Sequence, residues 1–155
     1  MGHDADMEPG PFTPLRRPPG MPPAACLIWH PSYETGIERI DEQHRSLFAL
    51  HGDFVHAVER GGSIHLLDSM ARDLIRYADL HFHDEEEAMA RFGYTGLDRH
   101  RTLHTGLRAT VARLDRLPQE RTSLLVVAEF VKLWMREHIL VEDRDFARFV
   151  RSGAT

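Results

Sequence analysis

Seven side chains able to hold a metal ion recur along this sequence at helical spacings. His44 stands alone, His81 and Glu85 are four residues apart, His100 and His104 are four apart, and Asp143 follows His138 by five. Residues four apart lie on one face of a helix, so each such pair presents two donors in one direction. A single histidine on an apolar face is ordinarily a core residue hydrogen-bonded to a carbonyl or hydroxyl. Seven inward polar groups are a different matter, because each one buried without a partner costs several kcal/mol. A domain has only about 5–15 kcal/mol of net stability to lose. Bound metal satisfies these lone pairs at once, and seven donors exceed what one first-row ion accepts, so the set calls for two ions. Imidazole and carboxylate donors suit iron, copper, nickel or zinc.

The elements that must position these donors follow from the apolar period. Ile37, Ile40, His44, Leu47, His51, Phe54 and Val58 share a face, predicting a first helix from about Arg39 to Arg60 that stops at Gly61-Gly62. A second helix, about Ile64 to Phe92, turns Leu67, Met70, Leu74, Tyr77, Ala78, His81, Glu85 and Met89 inward and stops at Gly93. The third, about Leu97 to Leu117, carries Leu97, His100, His104, Leu107, Val111 and Leu114, and Pro118 ends it. The fourth, about Thr122 to Leu140, carries Leu124, Val127, Val131, Trp134, Met135 and His138, which leaves Asp143 just past its end. A short C-terminal helix holds Phe146, Phe149 and Val150. No run of period-two alternation predicts a strand. The fold class is therefore all-α, an up-down-up-down four-helix bundle with an N-terminal arm and a short C-terminal helix.

Two regions are expected. Residues 1–26 hold seven of the nine prolines and few large apolar groups, so they read as a Pro-rich disordered tail. Residues 27–151 read as the bundle. Among the 155 residues there is one cysteine, Cys26, which excludes an internal disulfide, a thiolate zinc site and an iron–sulfur cluster. The formal net charge of -5 argues against a nucleic-acid partner. No apolar run approaches the ~20 residues of a membrane span, and the polar, acidic start lacks the pattern of a signal peptide. The expected compartment is the cytoplasm, with no membrane partner.

The segments LIWHPSYETGIERIDEQHRSLF, HFHDEEEAM, GYTGLDRHRTLH and WMREHILVED together resemble the hemerythrin family, in its bacterial single-domain form. The resemblance covers about Leu27 to Val150 and fills every ligand position of the family pattern. It departs from the family at Thr95, where a proline usually follows the Gly-Tyr of the second loop. The resemblance implies a non-haem centre of two iron ions (Fe2+/Fe3+) with a bridging oxo or hydroxo group, which binds O2 reversibly for storage, transport or scavenging. Carried over by position, it implies that His100, His104 and His138 hold one iron, that His44 and His81 hold the other, and that Glu85 and Asp143 bridge them. The iron with fewer protein ligands keeps a position for O2.

Leu47, Phe82, Trp134, Met135 and Ile139 are the expected walls of a dry pocket beside the ligands, with Met135 expected to face the open iron. Trp29 and Tyr33 resemble the family's N-terminal arm. Glu86 and Glu87 point roughly 100° and 200° away from Glu85 on a helix, which suggests a solvated face. His56, His65 and His83 are expected at the surface, and His3 and His30 outside the bundle. His51 fits either a core histidine or one supporting the site. Gly52 and Gly106, mid-helix, suggest close helix approach. Two rival functions follow from the same residues: a sensor module responding to O2 or NO, and a di-iron oxidase or peroxidase. The carrier reading is the stronger, since imidazole donates less charge than carboxylate and stabilises high-valent iron less. The expected protein is thus an O2-binding monomer and not an enzyme.

Overall fold

A computed structural model describes residues 27–114, 116 and 120–153. The expected tail over residues 1–26, with His3 and Cys26, lies outside the described residues, and so does Pro118. A 3₁₀ turn, Pro31–Tyr33, precedes α1 (Glu38–Glu59), α2 (Ile64–Arg91), α3 (Leu97–Leu114) and α4 (Arg121–Glu137). α4 passes through a π turn, His138–Glu142, directly into α5 (Asp143–Arg151). No strand occurs among the described residues.

Glycine ends two of the helices by the same device. Gly61 has φ +77° and Gly93 has φ +66°, the left-handed conformation that costs glycine little. Each lets the following residue fold back on the helix. Gly62 N–H donates to the Ala57 carbonyl at 2.9 Å and Gly61 N–H to that of Val58 at 3.2 Å. After α2, Tyr94 N–H donates to the Met89 carbonyl at 2.9 Å and Gly93 N–H to that of Ala90 at 3.1 Å. Carbonyls otherwise orphaned at the helix end are thereby satisfied. At the start of α2, Ser63 accepts a hydrogen bond from Leu66 N–H.

α1 packs on α2 and α4, α2 also packs on α3 and α4, and α3 on α4, which closes a four-helix bundle. Neighbours run antiparallel: Arg39 at the start of α1 pairs with Asp84 late in α2, and Arg121 at the start of α4 donates to the carbonyls of Gly61 and Gly62 after α1. The main apolar cluster, including Leu47, Phe54, Leu67, Leu74, Val131 and Met135, fills the middle and far end. A smaller cluster of Ala88, Met89 and Phe146 closes the other end. α3 contributes least: His100, His104 and Leu107 are its buried residues, while Val111 and Leu114 are only partly covered.

The arm packs as expected. Trp29 lies edge-on to Phe48 with ring centroids 5.3 Å apart, and 6.3 Å from the His44 ring. Buried Asp41 pins the arm to α1 by accepting from Thr35 N–H at 2.6 Å, the Thr35 hydroxyl at 2.8 Å and Gly36 N–H at 3.0 Å. Gly52 and Gly106 do not mark close helix contacts, since a Cβ built at either meets nothing within 4 Å. No helix among the described residues is long and apolar enough to cross a membrane.

Candidate metal centre

Alternating helix direction brings the early part of α1, the late part of α2, the early part of α3 and the end of α4 to one end of the bundle. All seven donors lie there, and all are buried. The last two get there by an unexpected route. Five residues along a regular α-helix, at about 100° per residue, Asp143 would point about 140° away from His138. Asp143 is not beyond a helix end, as the apolar pattern suggested. The π turn keeps the chain helical, with Asp143 N–H donating to the His138 carbonyl. An i→i+5 turn returns the fifth residue to the face of the first. Asp143 Oδ1 then lies 3.1 Å from His138 Nε2.

The donors form two groups, and the ligand atoms within each lie within 4.8 Å of one another. One comprises Glu85, His100, His104 and His138; the other comprises His44, His81, Glu85 and Asp143. Glu85 belongs to both: its Oε2 is 3.0 Å from His100 Nε2, 3.4 Å from His104 Nε2 and 3.8 Å from His81 Nε2. Asp143 also faces both ways. Its Oδ2 is 3.1 Å from His44 Nε2, while Oδ1 is 3.1 Å from His138 Nε2 and 3.5 Å from His100 Nε2. The structure therefore brings together all seven residues singled out from the sequence, with a carboxylate on each side of the boundary between two groups.

Burial sets the charge states. It lowers the His44 pKa to about 4 and that of His81 to about 3, against the opposing pull of Glu85. It also holds His138 well below 6.5. Burial pushes His100 the same way, but its hydrogen bond to Glu85 and that residue's charge win, and His100 is raised. Burial raises Glu85 too, yet the hydrogen bonds from His100 and His104 hold it well below the usual carboxylate range. Asp143 is pushed well up, by burial and then by the negative charge of Glu85. His44, His81 and His138 thus offer neutral nitrogen lone pairs at neutral pH, the form that binds a metal.

The residues fit a pair of ions. His44 Nδ1 and Nε2, His81 Nε2, Glu85 Oε1 and both Asp143 carboxylate oxygens are fully buried with no hydrogen-bond partner. The 3.1 Å approach of His44 Nε2 to Asp143 Oδ2 lacks hydrogen-bond geometry. Orphaned polar atoms in such number are rare in native interiors, and four of the six, His44 Nε2, His81 Nε2 and both Asp143 oxygens, face the other donors. Nitrogen and oxygen donors without sulfur suit iron among other first-row ions.

Residues around the donors hold them in place. His81 Nδ1–H donates to Gln43 Oε1 at 3.3 Å; Gln43 Nε2–H in turn donates to Asp84 Oδ2 at 2.5 Å, which also accepts from Arg39 at 2.8 Å. His104 Nδ1–H donates to Glu86 Oε1 at 2.8 Å. Glu86 is therefore not on a solvated face: its side chain is only 19% exposed and reaches across to α3. The helical angle placed it correctly away from Glu85 but could not show which neighbour stood there. His51 is a core histidine, its Nε2–H donating to the Ala128 carbonyl at 3.0 Å. His30, His56, His65 and His83 are exposed.

Phe82 stacks on His104 with centroids 4.0 Å apart, and Trp134 stacks on His138 at 5.4 Å. Both rings, with Leu47, line a mainly apolar cavity of about 560 Å³ between α2, α3 and α4. Met135 and Ile139 are fully buried in the main apolar cluster.

Known proteins are similar to this chain over most of its length. The family profile described as Hemerythrin HHE cation binding domain matches residues 35–150. Bacteriohemerythrin of Clostridium acetobutylicum is 27% identical over 126 residues, which cover 77% of this chain and 98% of that protein. Hemerythrin subunit beta of Lingula anatina is 33% identical over 115 residues, 74% of this chain and 87% of that one. Myohemerythrin of Riftia pachyptila is 27% identical over 112 residues, 72% of this chain and 83% of that one. A profile match across the whole bundle, joined to seven buried donors gathered at one end of it, shows that this chain belongs to the hemerythrin family.

Proposed function

We propose that this chain binds O2 reversibly at a di-iron centre held by His44, His81, Glu85, His100, His104, His138 and Asp143, and serves O2 storage, delivery or scavenging. The observation that carries the reading is the pair of donor groups sharing Glu85, with orphaned lone pairs aimed between them. Two iron ions held there would supply a coordination position and the redox chemistry for reversible O2 binding.

The chain's own residues do the rest. His100, His104 and His138 would give three nitrogen donors to one iron, and His44 and His81 two to the other, which would leave the second with room for a ligand. Glu85 and Asp143, whose oxygens face donors of both groups, would be shared between them. Gln43 and Glu86 accept the Nδ1 protons of His81 and His104, which fixes the Nε2 lone pairs toward the metal. Phe82, Trp134 and Leu47 give the site an apolar wall. Five imidazoles against two carboxylates disfavour high-valent iron, and this supports binding over turnover.

Reconstitution with iron(II) under anaerobic conditions tests the reading. The expected result is two irons per chain and an O2-dependent absorption band that disappears when O2 is removed. Fewer than two irons, or irreversible bleaching in a single O2 cycle, overturns it.

A further inference from the structure

The two donor groups differ in what stands behind their histidines. His104, in the three-histidine group, donates its Nδ1–H to a carboxylate, Glu86 Oε1, at 2.8 Å. His81, in the two-histidine group, donates to the neutral amide oxygen of Gln43 at 3.3 Å. Both histidines are fully buried, so little water screens either contact. A negative acceptor draws the Nδ1 proton away from the ring and makes Nε2 a stronger donor, which favours the more highly charged state of a bound ion. A neutral amide, at longer range, does much less.

Glu86 is built into this position. It projects from α2 one residue past the shared carboxylate Glu85; Arg101 Nε approaches its other oxygen, Oε2, at 3.4 Å, and Arg108 Nη1 lies 3.8 Å from Oε1. Those contacts hold the carboxylate in place while its Oε1 stays on His104. Asp84 is the corresponding acid on the other side, but it reaches His81 only through Gln43.

We propose that Glu86 is a positioning residue that acts through His104 to make the two iron positions unequal, lowering the reduction potential of the three-histidine iron and tightening its hold. This rests on the di-iron reading above. The inequality matters because the chain must let O2 reach one iron while the other remains anchored.

The test uses the full chain loaded with two irons. Glu86→Gln keeps the shape and the accepting oxygen but removes the charge. It is expected to raise one of the two reduction potentials and to weaken retention of one iron against a chelator by about 10–100-fold, the other being unchanged. Glu86→Asp, which keeps the charge, recovers part of that loss. Glu87→Gln removes the same charge from the next residue, which is exposed, and is expected to leave both irons as they were. The proposal is overturned if Glu86→Gln matches the unsubstituted chain in both readouts, if both irons shift equally, or if Glu87→Gln gives the same shift. An unsubstituted chain that fails to hold two irons overturns the di-iron reading instead, so the two failures are told apart.

Discussion

Asp143 Oδ1 lies 3.1 Å from His138 Nε2 because a π turn, not a regular α-helix, joins the two residues. Asp143 is thereby driven into a pocket already holding the negative charge of Glu85, with neither of its oxygens hydrogen-bonded. The arrangement is costly until cations fill it. Asp143→Asn removes a carboxyl that burial and Glu85 oppose, and gives Glu85 an amide donor. The metal-free variant is expected to be more stable than the metal-free parent by about 1–3 kcal/mol, while its iron content falls below two per chain. Urea denaturation of the two metal-free chains, with iron analysis of the reconstituted ones, checks both signs. A metal-free variant less stable than its parent contradicts the account.

α3 is expected to depend on bound metal more than any other helix of the bundle. Its buried residues are His100, His104 and Leu107, so two of the three belong to the proposed ligand set. One buried leucine supplies about 1.5–3 kcal/mol, too little to hold five turns of helix against their ordering entropy. Removing the metal with a chelator is expected to speed amide exchange in α3 by at least about tenfold, with the core-facing amides of α1 changing far less. Hydrogen exchange before and after chelation measures this. Uniform loss of protection along all four helices counts against it.

Much of this was legible in the sequence, for identifiable reasons. The candidate donors His81 and Glu85, and His100 and His104, stood at the one spacing that a helix converts into a shared face. Gly61 and Gly93 signalled helix ends because the left-handed residue each end uses is glycine. Illegible features depended on something other than a 3.6-residue period. The step from His138 to Asp143 fits no α-helical face, so the period implied a helix end where the chain makes a π turn. The role of Glu86 comes from His104 on another helix, which no single-helix angle shows. Gly52 and Gly106 suggested close packing by residue type alone, and space around them is a tertiary fact.

That open space carries its own consequence. Gly106 is exposed in the middle of α3, and a Cβ there touches nothing within 4 Å. Its cost is then purely conformational, about 1 kcal/mol relative to alanine in a helix interior. Gly106→Ala is expected to raise stability by up to that amount and to leave iron content unchanged. Because α3 is the weakly packed helix, the same substitution should also slow its amide exchange in the metal-free chain. Thermal denaturation reads the first effect. A loss of stability would show that the glycine is needed for packing after all.

His51 gives the fold a pH dependence separate from the metal centre. Burial lowers its pKa below 6.5, against its hydrogen bond to the Ala128 carbonyl, while Lys132 lowers it further and Glu129 opposes. Nδ1 is buried with no partner, so a second ring proton has nowhere to go. The unfolded chain takes up that proton near pH 6.5 and the folded chain does not. The stability tied to neutral His51 is therefore complete above pH 6.5 and is lost as pH falls from 6.5 toward the folded value. The slope reaches about 1.4 kcal/mol per pH unit at most. His51→Leu keeps the apolar volume and removes the titration, so its stability should fall less steeply between pH 6.5 and 5 than that of the unsubstituted chain. Comparing urea midpoints of the two iron-loaded chains over that range cancels the contribution of the ligand histidines they share. Parallel curves would mean that His51 titrates alike in both states and that its burial has no bearing on acid stability.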